Sequence, residues 1–186
     1  MDTIFIIIQL ICILALYKLN QLDYVRMSFD NLLFWITFMV IEKKRSWNIP
    51  LYVRFVTLIS ITFNDILGDY YHLYIDSFTY DRFQHIFGTY ALTLWAFFVI
   101  QQFIQVKLTN KKLIYILLVS VALAIGSLYE LFEFVEDQVF KPHFRNQPSL
   151  IDTNLDLIAD LGGGIVGVIH YHFSRGLKSF RFPFEK

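Results

Sequence analysis

The stretch SLIDTNLDLIADLGGGIVG, residues 149–167, decides how the rest of the chain is read. It opens an apolar segment long enough to enter a membrane, yet Asp152, Asp156 and Asp160 recur along it at every fourth residue. On a helix that spacing puts three carboxylates on one side, with Asp160 about 12 Å beyond Asp152 at a rise of about 1.5 Å per residue. Gly163 and Gly167 continue the same face, because 156, 160, 163 and 167 follow a 4-3-4 rhythm. Small residues at this spacing let a neighbouring helix come close. A helix that presents acids and then glycines to its neighbours predicts a polar site inside a helical bundle.

Composition agrees with a membrane setting. Apolar residues make up 56% of the 186, aromatics 18% and charged residues 17%, and the mean hydropathy is +0.50. A soluble domain carries about 25% charged residues. A formal net charge of zero excludes the basic footprint of a nucleic-acid-binding protein. The single cysteine, Cys12, lies in an apolar run, so neither a disulfide framework nor a cysteine metal cluster is expected. No Lys or Arg precedes Ile4 and no small-residue cleavage site follows the first apolar run. The first helix is therefore read as retained rather than as a cleaved signal.

Apolar runs predict an all-α, polytopic bundle of about six spans in one membrane domain, residues 1–186. The spans are placed at about 3–19, 27–41, 51–67, 83–104, 113–135 and 151–172. The apolar core of the second, Leu32–Ile41, is short of the roughly 20 residues a spanning helix needs, so it either begins near Met27 or lies at the surface. Arg54 is expected to snorkel at the start of the third span. Basic clusters at 42–45, at 107–112 and in the tail (Arg175, Lys178, Arg181, Lys186) alternate as cytoplasmic loops should. The expected placement is the bacterial cytoplasmic membrane with both termini inside. In that topology Asp65, Asp81, His85, Glu130, Glu133, Asp152, Asp156 and Asp160 converge in the outer part of the bilayer.

Ionisable groups in a span cost about 2.5–3.5 kcal/mol each at the bilayer centre on insertion scales, so each requires a reason. Helix capping accounts for Asp81 and Asp152 as readily as a site does. Asp65 and Asp69 fit the interface equally well, and Asp137 fits it better than a site. Glu130 and Glu133 stand near a helix C-terminus, where the dipole disfavours them, and Gly126, Glu130, Glu133 and Asp137 again share a face. Asp156 and Asp160 lie too deep to cap. Several carboxylates in low dielectric must be protonated, paired with Arg82 or neutralised by a cation. Carboxylates plus one imidazole suit Mg²⁺, Mn²⁺, Ca²⁺ or Zn²⁺.

The candidate metal ligands are Glu130, Glu133, Asp152, Asp156, Asp81 and His85. The candidate acid/base groups are Glu130, Glu133, Asp156 and His85, with Arg82, Asp65, Asp160 and Asn154 as binding or orienting groups. A metal with an open position activates water or clamps a phosphate, which suits a lipid or envelope substrate. The sequence leaves two other readings open: a small transporter coupled to ions or protons, and a non-catalytic membrane protein whose acids form a structural network.

Asp81-Arg82-x-x-His85-x-x-Gly88, Tyr129-Glu130-x-x-Glu133-Phe134 and Asp152-x-Asn154-x-Asp156, together with Gly68-Asp69-Tyr70-Tyr71, resemble the uncharacterised bacterial YjdF-like inner-membrane proteins, in order over residues 60–170. Phe134, Asn154 and Ile151 stand where that family usually has Trp, Gln and Trp, and Asp160 replaces a small apolar residue. The last helix, acids followed by glycines, is more distantly similar to VanZ-like membrane proteins. The resemblance implies a polytopic membrane protein and supplies no reaction.

Overall fold

The computed structural model describes residues 1–174. The basic tail that supports the proposed topology lies beyond these residues. Among the described residues there is no strand, and seven α-helices follow in chain order. They are α1 (Asp2–Lys18), α2 (Leu22–Arg45), α3 (Leu51–Phe63), α4 (Leu73–Asp76), α5 (Phe78–Ile104), α6 (Lys111–Val139) and α7 (Leu150–Phe173). A π-helical segment, Asn64–Tyr70, continues α3 without a break. The fold is the all-helical one expected.

Among the described residues four helices are long and apolar enough to cross a bilayer: α2, α3 with its π-helical extension, α5 and α6. The uncertain second span is a 24-residue helix that begins at Leu22 and takes in Asp23, Arg26 and Asp30. At 17 residues α1 is at the short end of the spanning range. α7 has 24 residues but carries its aspartates through the first half.

The chain packs as two compact units, Met1–Asp81 and the part beginning at Arg82. In the first, α1 and α2 form a hairpin through a turn in which Asn20 takes positive φ. Lys43, Lys44 and Arg45 occupy the last turn of α2, where cations complement the helix dipole. Trp35 is fully buried between Phe5 and Phe38, with ring centroids 6.1 and 5.1 Å away. Arg54 does not snorkel. It donates to Asp2 Oδ1 at 2.8 Å, pairs with Glu42 and lies 5.5 Å above the Trp35 ring. Two acids from α1 and α2 draw the guanidinium inward, and the aromatic face completes its surroundings.

In the second unit α6 starts at Asn110, whose side chain accepts from Lys112 N and Leu113 N at 3.0 and 3.3 Å. Ser149 does the same for α7, accepting from Asp152 N at 3.1 Å. Such caps satisfy amides that have no partner within the helix. The glycines of α7 set how closely its neighbours approach. A Cβ at Gly163 would lie 2.6 Å from Ile86 O and 2.9 Å from Tyr90 N, and one at Gly164 would lie 2.6 Å from the Ala122 Cβ. α7 therefore lies backbone to backbone against α5 and nearly so against α6. Beyond the glycines, Tyr90 and Tyr115 hydroxyls meet His170 Nδ1 and His172 Nδ1, each at 2.6 Å. Ile158, Ile165 and Ile169 stay exposed on the other side of α7, the apolar face that lipid would cover.

Candidate functional site

The acids of the second unit gather at one end of it, where α5 begins, α6 ends and α7 begins. Arg82, His85 and Thr89 occupy one face of α5 at 3-4 spacing, and Asp152, Asp156 and Asp160 one face of α7. Because α5 and α7 touch at Gly163, within one to three turns of these residues, their side chains meet directly.

Arg82 forks across two turns of α7, pairing with Asp152 through Nη2 and with Asp156 through Nη1. Asp152 therefore does not cap α7. Ser149 holds that role, and the Asp152 carboxylate is left for the guanidinium. His85 stands between the next two acids: Nε2 is 3.5 Å from Asp156 Oδ1 and Nδ1 is 3.2 Å from Asp160 Oδ1. The Thr89 hydroxyl donates to the same Asp160 oxygen. Asp156 and Asp160 are only 2% and 1% exposed. The other Asp160 oxygen, Oδ2, is buried without a hydrogen-bond partner. It lies beneath α6 in the space a side chain at Gly126 would fill.

α6 adds Glu130, also buried. Its Oε2 accepts from Gln147 Nε2 at 2.7 Å, and the same amide reaches its backbone carbonyl, also at 2.7 Å. Glu130 faces His85 and Asp160 closely enough to interact with their charges, and Thr153 approaches it from α7. Its second oxygen, Oε1, completes no hydrogen bond. Asp137, one face-repeat further on, accepts from Asn146 N and Gln147 N at 2.9 and 3.0 Å. These bonds fold the loop after α6 back over the helix end.

A family model described as "Predicted membrane protein (DUF2238)" matches residues 3–176. The chain belongs to this family. A relative from Thermotoga maritima, named only "Uncharacterized protein", is 29% identical over 131 residues, which are 67% of this chain and 64% of the relative's length. The chain thus spans just under two thirds of that relative. No solved structure matches. Membership identifies a membrane protein, and the apolar helices fit one that crosses the bilayer several times.

The expected residues thus fall into three groups. Arg82, His85, Glu130, Asp152, Asp156 and Asp160 come together, and Glu133 is half-buried on the same face of α6. Asn154 is exposed, two residues round α7 from the acids. Asp81 closes the first unit one helical turn before His85, and Asp65 is buried within the first unit. Thr89, Gln147 and Asp137 belong to the network and were not expected in it. Thr89 follows His85 by one helical turn, a spacing that carries the signal for it; nothing in the sequence pointed to Gln147, which acts from a loop.

The charges divide unevenly. One guanidinium serves Asp152 and Asp156, which leaves Asp160 and Glu130 with the imidazole and two unpartnered oxygens. Ligand atoms about 2.1 Å from a common ion stand roughly 3.0–3.4 Å apart in octahedral or tetrahedral geometry. The 3.2 Å between His85 Nδ1 and Asp160 Oδ1 suits a shared cation as well as a hydrogen bond.

Proposed function

We propose that the second unit carries a cation-assisted centre for a phosphate-bearing lipid or envelope intermediate, placed toward the extracytoplasmic side of the bacterial cytoplasmic membrane. The observation that carries this reading is the pair of buried carboxylate oxygens without hydrogen-bond partners, Glu130 Oε1 and Asp160 Oδ2, on the two acids that face His85. Buried carboxylate oxygens in low dielectric demand a proton or a cation. A donor set with one imidazole favours Mn²⁺ or Zn²⁺ within the divalent ions that carboxylates accept. His85 and Asp160 would hold the ion, with Glu130 facing them, and the ion would supply Lewis acidity toward a phosphate oxygen or a water. Arg82 holds Asp152 and Asp156 in place and keeps their charge from adding to that of the ion site. Glu133, half-buried on the same face of α6, is the group placed to exchange a proton with a bound substrate.

The test is elemental analysis of the detergent-purified protein beside Glu130→Gln and Asp160→Asn, with folding of each verified. Near-stoichiometric Mn or Zn in the wild type, lost in both folded variants, is expected, and hydrolysis or transfer assays on phosphate-bearing lipids would follow. Wild-type protein that neither retains nor binds these metals would overturn the reading. One observation favours a second possibility. Asp156, His85, Asp160 and Thr89 form an unbroken series of proton-carrying groups, as a proton-coupled transporter would need. Proton flux into proteoliposomes that stops on His85→Gln would favour it.

A further inference from the structure

The first unit buries a polar cluster of its own, and it is independent of the site above. Its centre is the π-helical segment Asn64–Tyr70, a geometry that is rare and concentrated at functional sites. Asp65 and Asp69, four residues apart on this segment, are 0% and 1% exposed. Asp65 Oδ1 accepts from Asn31 Nδ2 at 2.7 Å and Asn64 Nδ2 at 3.0 Å. Asp65 Oδ2 and Asp69 Oδ2 have no hydrogen-bond partner, although the two carboxylates are near enough to repel each other.

Two further buried polar groups lie nearby on α1 and α2. Gln9, from the middle of α1, turns its amide toward Asp65, yet neither amide atom completes a hydrogen bond. The Ser28 hydroxyl, fully buried on α2, also lacks a bond. It stands beside Cys12, whose thiol reaches Asp65 O at 3.5 Å. Tyr74 closes one side, donating to Asn64 Oδ1 at 2.6 Å, with its ring packed where any side chain at position 68 would stand. Arg54 pairs with Asp2 and Glu42, and Arg26 with Asp23. Neither Asp65 nor Asp69 is ion-paired among the described residues.

We infer that Asp65, Asp69, Gln9 and Ser28 form a binding site for a hard divalent cation inside the first unit. The donors are carboxylate, amide and hydroxyl oxygens, the set that Ca²⁺ and Mg²⁺ prefer, and no imidazole is among them. Two carboxylates match the charge of one divalent ion. The amide and hydroxyl oxygens supply the neutral ligands that such an ion needs to exceed two or three contacts. The π-helical turn brings both acids to α1 and α2 together, which a straight continuation of α3 would not do.

The experiment is equilibrium dialysis of the full chain in detergent against CaCl₂ and against MgCl₂, with thermal unfolding followed in parallel. Wild type, Asp69→Asn, Ser28→Ala and Glu130→Gln are compared. One bound equivalent of either ion is expected, with a raised unfolding temperature. Affinity should fall at least tenfold in Asp69→Asn and at least threefold in Ser28→Ala, and should be unchanged in Glu130→Gln. Absence of binding in the wild type overturns the site, and the buried pair is then held by protons. Binding that survives in Asp69→Asn overturns it too, as does binding lost only in Glu130→Gln, which assigns the ion to the second unit. Should Asp69→Asn fail to fold, Ser28→Ala decides alone, because it removes one ligand and no charge.

Discussion

Replacing Arg82 by Met tests whether one guanidinium neutralises the acids at the start of α7. Arg82 and Asp152 are each 15% exposed in their side chains, and Asp156 is 3% exposed. Opposite unit charges about 4 Å apart attract by ~4 kcal/mol at an effective dielectric near 20. Two such attractions are offset by the desolvation of three charged groups, so the net loss should follow that of a broken buried pair, about 3–5 kcal/mol. Most of that loss is the penalty of Asp156 left charged and buried. Adding Asp156→Asn removes the stranded charge, and the double variant should recover about half of it. Arg82→Lys keeps the charge but not the fork that reaches two turns of α7, and should fall between wild type and Arg82→Met. Denaturant titration in detergent, followed by tryptophan fluorescence, gives the stabilities of wild type and the three variants. A loss below about 1 kcal/mol for Arg82→Met, or a double variant no more stable than the single one, would refute the argument.

Other outcomes follow from the packing. Gly163→Ala places a methyl 2.6 Å from Ile86 O, a backbone atom that cannot swing aside, and should cost about 1–3 kcal/mol. Gly162→Ala meets nothing nearer than 3.7 Å, so the higher helix propensity of alanine should leave it neutral or more stable by up to ~1 kcal/mol; equal thermal shifts for the two would contradict the close contact of α5 and α7. Gln147→Ala leaves the Glu130 carbonyl and carboxylate without their shared donor, a loss of about 1–3 kcal/mol. Limited proteolysis should then cut the loop after α6 faster, and unchanged cleavage would show that this amide does not hold the loop down.

How far the site can be read before folding depends on the residue. The 4-3-4 series on α7 and the 82-85-89 series on α5 are visible because helical periodicity fixes the direction of each side chain from spacing alone. That Arg82 takes Asp152 and Asp156, while His85 takes Asp160, is not visible. Asp160 looked like a departure from the family pattern, yet it is only 1% exposed, with His85, Thr89 and Gly126 around it. Arg54 read as a residue for the headgroups because its span begins there, and spacing gave no sign of Asp2 and Glu42 opposite. Asp65 and Asp69 read as interfacial because they end an apolar run; the π-helical turn carries them into the unit instead.

The sequence by itself determined that the chain is helical and belongs in a membrane, and which acids share a face. Those properties follow from composition and from a period of 3.6 residues, both local to each segment. The tertiary structure alone decided which charge meets which, because pairing depends on the depth and rotation of a neighbouring helix. In the second unit that depth is set where Gly163 and Gly164 let two backbones approach, a distance no single segment contains.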